Sequence, residues 1–180
     1  MAKAGPPEPS PSDGAFRPDR QSRPGRELRL RAEDAEDLAV ISACLQDALV
    51  SVRDLAYDQV ARNFVLIANR FRWEGGGAEE AAEGEGTPFE RTLCGIIFDE
   101  IDGVAYRGFH RSEEDRILAL LAIRPNFGPG AGSGSGLIDL EFAAGATIRL
   151  TAAAIRCRAR DFGEPWPTQW QPGHPLDPPE

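Results

Sequence analysis

The chain has 180 residues, with 29 acidic against 20 basic side chains and a formal net charge of −9. This length fits one domain, and the acidic balance argues against a chain-wide basic surface for nucleic acid. Three widely spaced cysteines without a C-x-x-C motif argue against a disulfide framework or a zinc ribbon and indicate the reducing cytoplasm. No apolar run approaches the roughly 18 residues of a membrane span, so we expect no membrane segment.

The two ends of the chain are rich in proline. Six prolines fall within residues 1–26 and six within 163–180. Because such segments bury too little apolar surface to offset the entropy of ordering, we predict a disordered N-terminal tail and a Pro/Trp-rich C-terminal tail. A single α+β domain is predicted between them, at 27–162, with low-complexity loops at 74–87 and 125–136.

The first predicted elements are a short strand and the clearest helix of the chain. Leucines alternate with charged residues over 27–31, which predicts the strand. Acidic residues then fill the first turns of a helix over 33–47, where they suit the positive end of the helix dipole. The apolar residues of this region recur at three- and four-residue steps and form one face: Leu38, Ile41, Leu45 and Leu49.

Residues 48–73 are the densest run of β-branched and aromatic residues and are predicted to form a hairpin. A polar turn is expected at 58–62. The apolar residues of the first strand change phase along its length, and a bulge near Arg53 and Asp54 would reconcile them.

The second strand of this hairpin ends with arginines and large aromatic residues in alternation. We expect Phe71 and Trp73 to face the core and Arg70 and Arg72 to face water. Asn69 then points to the apolar side, where its amide would need hydrogen-bond partners. Because interleaved aromatic and guanidinium groups also occur in sites for anions and single-stranded nucleic acid, the candidate binding residues are Asn69, Arg70 and Arg72.

The second half of the chain carries further strand signals. From Phe89 to Phe98 both faces are largely apolar, which predicts a central strand. The pair Asp102-Gly103 predicts either a tight turn into a paired strand over 104–109 or one long strand with a bulge at Gly103.

Three later segments complete the pattern. Residues 117–123 fit either a strand or a short buried helix, and their length and the following proline favour the strand. A second hairpin is predicted over 138–150. Residues 152–162 fit a strand or a helix equally well, so that choice stays open.

Motifs that could carry chemistry are few. The glycine-rich stretch 128–136 lacks the lysine of a phosphate-binding loop and leads into a strand, so no nucleotide cofactor is expected. Asp99, Glu100 and Asp102 lack the spacing of a calcium loop, so no metal is expected there. Together with His110 they define an alternative hypothesis, a small enzyme with a carboxylate–arginine site.

A row of arginines late in the chain supports a further hypothesis. These residues would either balance the acidic surface or bind an acidic partner: Arg149, Arg156, Arg158 and Arg160.

Four stretches of the chain carry a family resemblance: LRLRAEDAEDLAVISACLQDALVSVRDLAY, ANRFRWE, LALLAIRP and IRLTAAAIRCRARDFGEPW. Over roughly residues 27–170 the chain resembles an uncharacterised alphaproteobacterial family that is described only as a domain of unknown function. The resemblance implies a bacterial cytoplasmic protein with one compact domain. It implies no site residues, because the family has no assigned activity.

The sequence therefore predicts an α+β fold. We expect a mostly antiparallel sheet or a partly closed barrel, with one N-terminal helix packed on it. The leading functional hypothesis is a non-catalytic cytoplasmic module that binds a protein partner or a small ligand. Exposed edge strands also permit a homodimer. Nucleic acid is disfavoured as a partner, and weak binding of an anion or single-stranded nucleic acid is kept only as an alternative function.

Overall fold

The computed structural model describes residues 27–73, 89–128 and 135–168. The predicted tail at 1–26, the loop at 74–87, the last residues of the chain and the middle of the loop at 125–136 lie outside the described residues. The described residues form one α-helix, a 3₁₀ turn at Ala143–Gly145 and nine strands: β1 (Arg29–Ala32), α1 (Ala35–Cys44), β2 (Leu49–Asp58), β3 (Asn63–Phe71), β4 (Phe89–Asp99), β5 (Ile101–Arg107), β6 (Ile117–Asn126), β7 (Gly136–Phe142), β8 (Thr147–Ala152) and β9 (Cys157–Thr168).

All nine strands belong to one sheet in the order β1-β9-β4-β3-β2-β6-β7-β8-β5, and every neighbouring pair is antiparallel. A single residue, Glu100, joins β4, third in this order, to β5 at the far edge. The sheet must therefore curl over on itself, although it is not closed into a barrel. The prediction of a mostly antiparallel sheet with one helix is confirmed.

The helix is shorter than the predicted 33–47. Asp34 caps its start, accepting a hydrogen bond from the Asp37 amide at 2.8 Å. Leu38, Ile41 and Leu45 are buried, as the apolar spacing predicted. Leu49, which we expected on the same face, instead begins β2 and is 36% exposed. No helix in the described part of the chain is long and apolar enough to cross a membrane.

The predicted hairpin and its bulge are confirmed. β2 pairs with β3, and the register shifts between Val50 and Leu55, where the bulge was expected. The displaced backbone is not left unbonded, because the amides of Val52 and Arg53 donate to Arg116 and Glu114 at 3.0 and 3.2 Å.

The predicted faces of β3 were wrong for Arg70 and Trp73, whereas Phe71 is 3% exposed, as expected. Its fully buried residues are Phe64, Leu66, Ala68 and Arg70. Val65, Ile67 and Asn69 are half-buried on the other face, and Trp73 is 45% exposed. Both alternating sets are rich in apolar side chains, so the period of two alone does not determine which set faces the interior.

The open alternatives of the second half are resolved as strands. Residues 117–123 lie within β6, and most of 152–162 lies within β8 and β9. β4 does not pair with β5, so the turn into a paired strand was the wrong alternative. The chain instead bends at Glu100, whose φ is +61°, and the register of β5 against β8 shifts between Ile101 and Gly103.

Candidate functional site

The buried polar side chains of the described residues gather at one end of the interior. They lie on β3 and β9, on the central strand β4 and just beyond the end of β3: Arg70, Arg72, Thr92 and Asp161. Thr92 lies opposite Arg70 and Asp161 opposite Cys94 in the strand register, which brings the set together.

Arg70 and Asp161 form a bidentate ion pair in this cluster. Nε of Arg70 donates to Oδ1 of Asp161 at 2.8 Å, and Nη2 donates to Oδ2 at 2.7 Å. The Leu28 amide donates to the same Oδ2 at 3.0 Å. Because neither charge reaches bulk water, each depends on the other for compensation. Arg70 was a candidate binding residue, but its side chain is 0% exposed; in the folded chain it holds Asp161.

The surroundings shift the acidity of the groups in this cluster. Burial alone raises the pKa of Asp161, but hydrogen bonds from Arg70 and the Leu28 amide outweigh it and hold the pKa below its usual value. Burial, reinforced by the Asp161 charge, raises the pKa of the Cys94 thiol to about 12. Asp161 therefore stays ionised at neutral pH, while Cys94 stays a neutral thiol.

The second candidate arginine, Arg72, is 6% exposed and bonds to Glu90 through Nη1. The expectation that both arginines face water was therefore wrong. The third candidate, Asn69, lies on the opposite face of the sheet. Its Oδ1 is buried without a hydrogen-bond partner, the sole such side-chain atom among the described residues.

The outward face of β1 and β9 carries arginines in direct opposition. Arg29 lies opposite Arg160, and Arg31 lies opposite Arg158. All four are exposed, and we call them the arginine surface. Like charges directly opposite each other destabilise a sheet. These arginines therefore lower the stability of the β1–β9 pair, so strand pairing does not account for their presence.

Acidic side chains balance only part of this surface. Asp99 accepts from Arg158 at 3.0 Å, and Glu33 accepts from Arg31. Arg29 and Arg160 form no ion pair within the part of the chain that the structure describes. This opposed pair is therefore available to an external anion.

An apolar region adjoins the arginine surface on the same face. Two strand-to-strand rows run from it onto β4 and β3: Arg160, Gly95 and Ile67, and then Arg158, Ile97 and Val65. A third row crosses five strands: Phe162, Leu93, Asn69, Leu49 and Ala119. These rows place half-buried apolar side chains beside the arginines, with Asn69 in the middle of the third row.

The carboxylate hypothesis is not supported by the geometry. Three different arginines pair with its acids: Asp99 with Arg158, Glu100 with Arg156 and Asp102 with Arg62. His110 lies in the loop after β5, and its amide donates to Glu113 at 2.7 Å. The structure therefore does not bring these residues into one pocket, and it holds no group of three metal-ligating side chains in its described ranges.

The structure brings together only part of the predicted arginine row. Arg158 and Arg160 share the outward face of β9, whereas Arg149 lies on β8 and binds Asp139 at 2.7 Å through two nitrogens. Arg29 and Arg31 were not among the predicted arginines. Their signal was present, since both segments alternate arginine with apolar residues, but the pairing of β1 with β9 was not foreseen.

Comparison with known proteins gives a family but no activity. The family model described as protein of unknown function (DUF2948) matches residues 28–174. No curated protein and no solved structure matches the chain. The match spans every element from β1 to β9 and confirms that the chain belongs to a family described only as a domain of unknown function. The chain therefore belongs to the family of proteins of unknown function DUF2948.

Proposed function

We propose that this protein is a non-catalytic binding module, and that the outward face of β1, β9, β4 and β3 docks an acidic, amphipathic segment of a partner protein. The observation that carries the proposal is the direct opposition of Arg29 and Arg160 without an acidic partner among the described residues. Carboxylates of the partner would supply the missing charge through bidentate contacts, which guanidinium groups favour.

The overall charge of the chain supports this assignment. With a net charge of −9, most of the surface repels an acidic partner. A local arginine surface therefore restricts the encounter to one face, since it is where attraction exceeds repulsion.

The apolar rows determine the second half of the partner's chemistry. Val65, Ile67 and Ile97 are half-buried, and Phe162 remains 41% exposed with its ring lying over Gly95. A partner segment that covers them buries apolar area beside the charge contacts. Oδ1 of Asn69 would accept a hydrogen bond that no described residue provides.

A protein segment fits this face better than single-stranded nucleic acid. Nucleic-acid sites interleave cations with several aromatic platforms for base stacking. Here Phe162 is the one aromatic side chain in the three rows, and apart from Arg158 and Arg160 the others are aliphatic, glycine or asparagine. Aliphatic surface beside arginine matches leucine- and glutamate-rich protein segments instead.

The proposal places the protein in the cytoplasm. Cys94 and Cys157 are free thiols, and burial, with the neighbouring Cys94, raises the pKa of the Cys157 thiol to about 12. Free thiols without a disulfide framework suit a reducing compartment.

The test is binding of a labelled amphipathic peptide with glutamates on one helical face and leucines on the other, followed by fluorescence anisotropy. We expect binding that weakens with added salt, because the contacts are exposed charges. The double variant Arg29→Ser/Arg160→Ser should weaken peptide binding about tenfold, because each lost contact between an exposed arginine and a peptide carboxylate contributes up to about 1 kcal/mol.

Two controls define the outcome. Arg124→Ser/Arg149→Ser removes the same charge from arginines that already have acidic partners, Glu141 and Asp139, and should leave binding nearly unchanged. Equal losses of peptide affinity in both double variants would show that the effect comes from net charge and not from the opposed arginines. If an oligothymidine bound more tightly than the peptide, the partner of this face would be single-stranded nucleic acid and not a protein segment.

A further inference from the structure

A small cavity of about 200 Å³ opens between β4 and β9, at the buried polar cluster. It results from a bulge in β9. Arg91 pairs with Trp166 and Leu93 with Phe162, so Gly163, Glu164 and Pro165 together face the single residue Thr92. Gly163 adopts a φ of +75°, which suits glycine at this bend. Bulges of this kind often lie next to functional sites.

The inner wall of the cavity offers hydrogen-bond donors. Thr92 is 1% exposed, yet its hydroxyl has no hydrogen-bond partner in the described chain. Arg72 also lines the cavity, and within the described ranges only Nη1 of its side-chain nitrogens is bonded, to Glu90. Asn69 Oδ1 is the one sealed side-chain atom without a partner among the described residues, so the Thr92 hydroxyl and the remaining Arg72 nitrogens open onto the cavity, where a ligand can reach them.

The outer wall offers acceptors instead. Glu27 and Glu164 line the cavity, are exposed and form no ion pair with the described residues. Asp161 also contributes to the wall, but both of its oxygens already accept hydrogen bonds from Arg70. Asp161 is therefore a positioning residue that keeps the inner wall in place.

We propose that this cavity binds a small zwitterion of the amino-acid class. Its carboxylate accepts hydrogen bonds from the Thr92 hydroxyl and the Arg72 guanidinium, and its ammonium group lies between Glu27 and Glu164. The volume is below the roughly 300–1,000 Å³ of sites for drug-sized ligands, which limits the occupant to a few heavy atoms.

This site is separate from the docking face. Thr92, Arg72 and Asp161 belong to the inward set of side chains, whereas the arginine surface and its apolar rows lie outward. Failure of the peptide test would leave this inference intact, and its own test uses different variants and a different probe.

The experiment is titration of the full chain with glycine, alanine, acetate and ethylammonium, followed by protein NMR shifts. We expect glycine or alanine to shift resonances of residues 163–165 and to bind more tightly than acetate or ethylammonium, which each carry one of the two charges. Thr92→Val should weaken binding about fivefold to tenfold by removing one hydrogen bond. Glu164→Gln should weaken it by a similar factor, and its exposed position leaves folding unaffected.

Thr151→Val is the matched control, since Thr151 is a half-buried strand threonine on β8 outside the cavity. It should leave amino-acid binding unchanged. The inference is overturned if neither amino acid shifts these resonances, if acetate binds as tightly as glycine, or if Thr92→Val and Thr151→Val behave alike.

Discussion

Two groups of arginines lie within a few strands of each other, and they differ in burial and in whether a carboxylate binds them. On the inward face, Arg70 is fully buried and binds Asp161 through two hydrogen bonds. On the outward face, Arg29 and Arg160 lie directly opposite each other with no acidic partner in the described residues.

The difference follows from solvation. A buried guanidinium without a carboxylate would lose its hydration with nothing in return, so the fold must provide a partner. An exposed one keeps its water and tolerates a like-charged neighbour at a cost of a few tenths to about 1 kcal/mol. Burial therefore makes Arg70 structural, while exposure leaves Arg29 and Arg160 available for binding.

The largest expected effect comes from breaking the inward pair. Arg70→Met leaves Asp161 buried and uncompensated, and we expect a loss of about 3–5 kcal/mol in the free energy of unfolding. Urea denaturation measures it. The matched substitution Arg160→Met should stay within about 0.5 kcal/mol of the wild type. Similar losses in the two variants would show that burial does not separate the two groups.

Acid should weaken the same pair. The pKa of Asp161 is held below its unfolded value of 3.8, so its stabilisation is fully present above that pH and is lost as pH falls through the folded pKa. The wild type should therefore lose more stability below pH 3.8 than Arg70→Met/Asp161→Leu, which lacks the group. Parallel curves in urea unfolding across acidic pH would contradict this assignment.

A smaller effect is expected at Asn69 on the outward face. Asn69→Leu removes the unpartnered Oδ1 from an otherwise apolar row, and we expect a gain of about 1 kcal/mol in stability. Thermal unfolding at fixed protein concentration measures it. Asn63→Leu, at the start of the same strand, should give no such gain. A loss at Asn69 would mean that its amide is already bonded in solution.

The smallest effect concerns the opposed arginines. Arg160→Glu replaces repulsion from Arg29 with attraction, so stability should rise by about 0.2–1 kcal/mol while affinity for the acidic peptide falls. Arg124→Glu, which loses its partner Glu141, should instead become less stable. A less stable Arg160→Glu protein would show that the opposition has no energetic cost.

Local patterns in the sequence were enough to predict most of the elements. Apolar residues on both faces of 89–98 predicted the central strand β4, and the change of phase near Arg53 predicted the bulge in β2. The start of the helix followed from its acidic first turn. These features depend on neighbours within a few residues, so they can be read without the fold.

The candidate site could be predicted only in fragments. Arg70 and Asp161 are 91 positions apart, and nothing near either residue indicates the other. The opposition of Arg29 and Arg160 likewise requires β1 to pair with β9, in register, across nearly the whole domain. Asn69 was expected on the apolar side of β3, but the side that it shares with Val65 and Ile67 faces outward.

The sequence by itself determined that the chain alternates apolar and polar residues in many short strands, with one helix near its start. Tertiary structure decided which face of each strand is buried, because β3 and β4 carry apolar residues on both faces and only the curl of the sheet selects one. That selection turned Arg70 inward to a carboxylate and left Arg29 and Arg160 outward, with no carboxylate partner in the part of the chain that the structure describes.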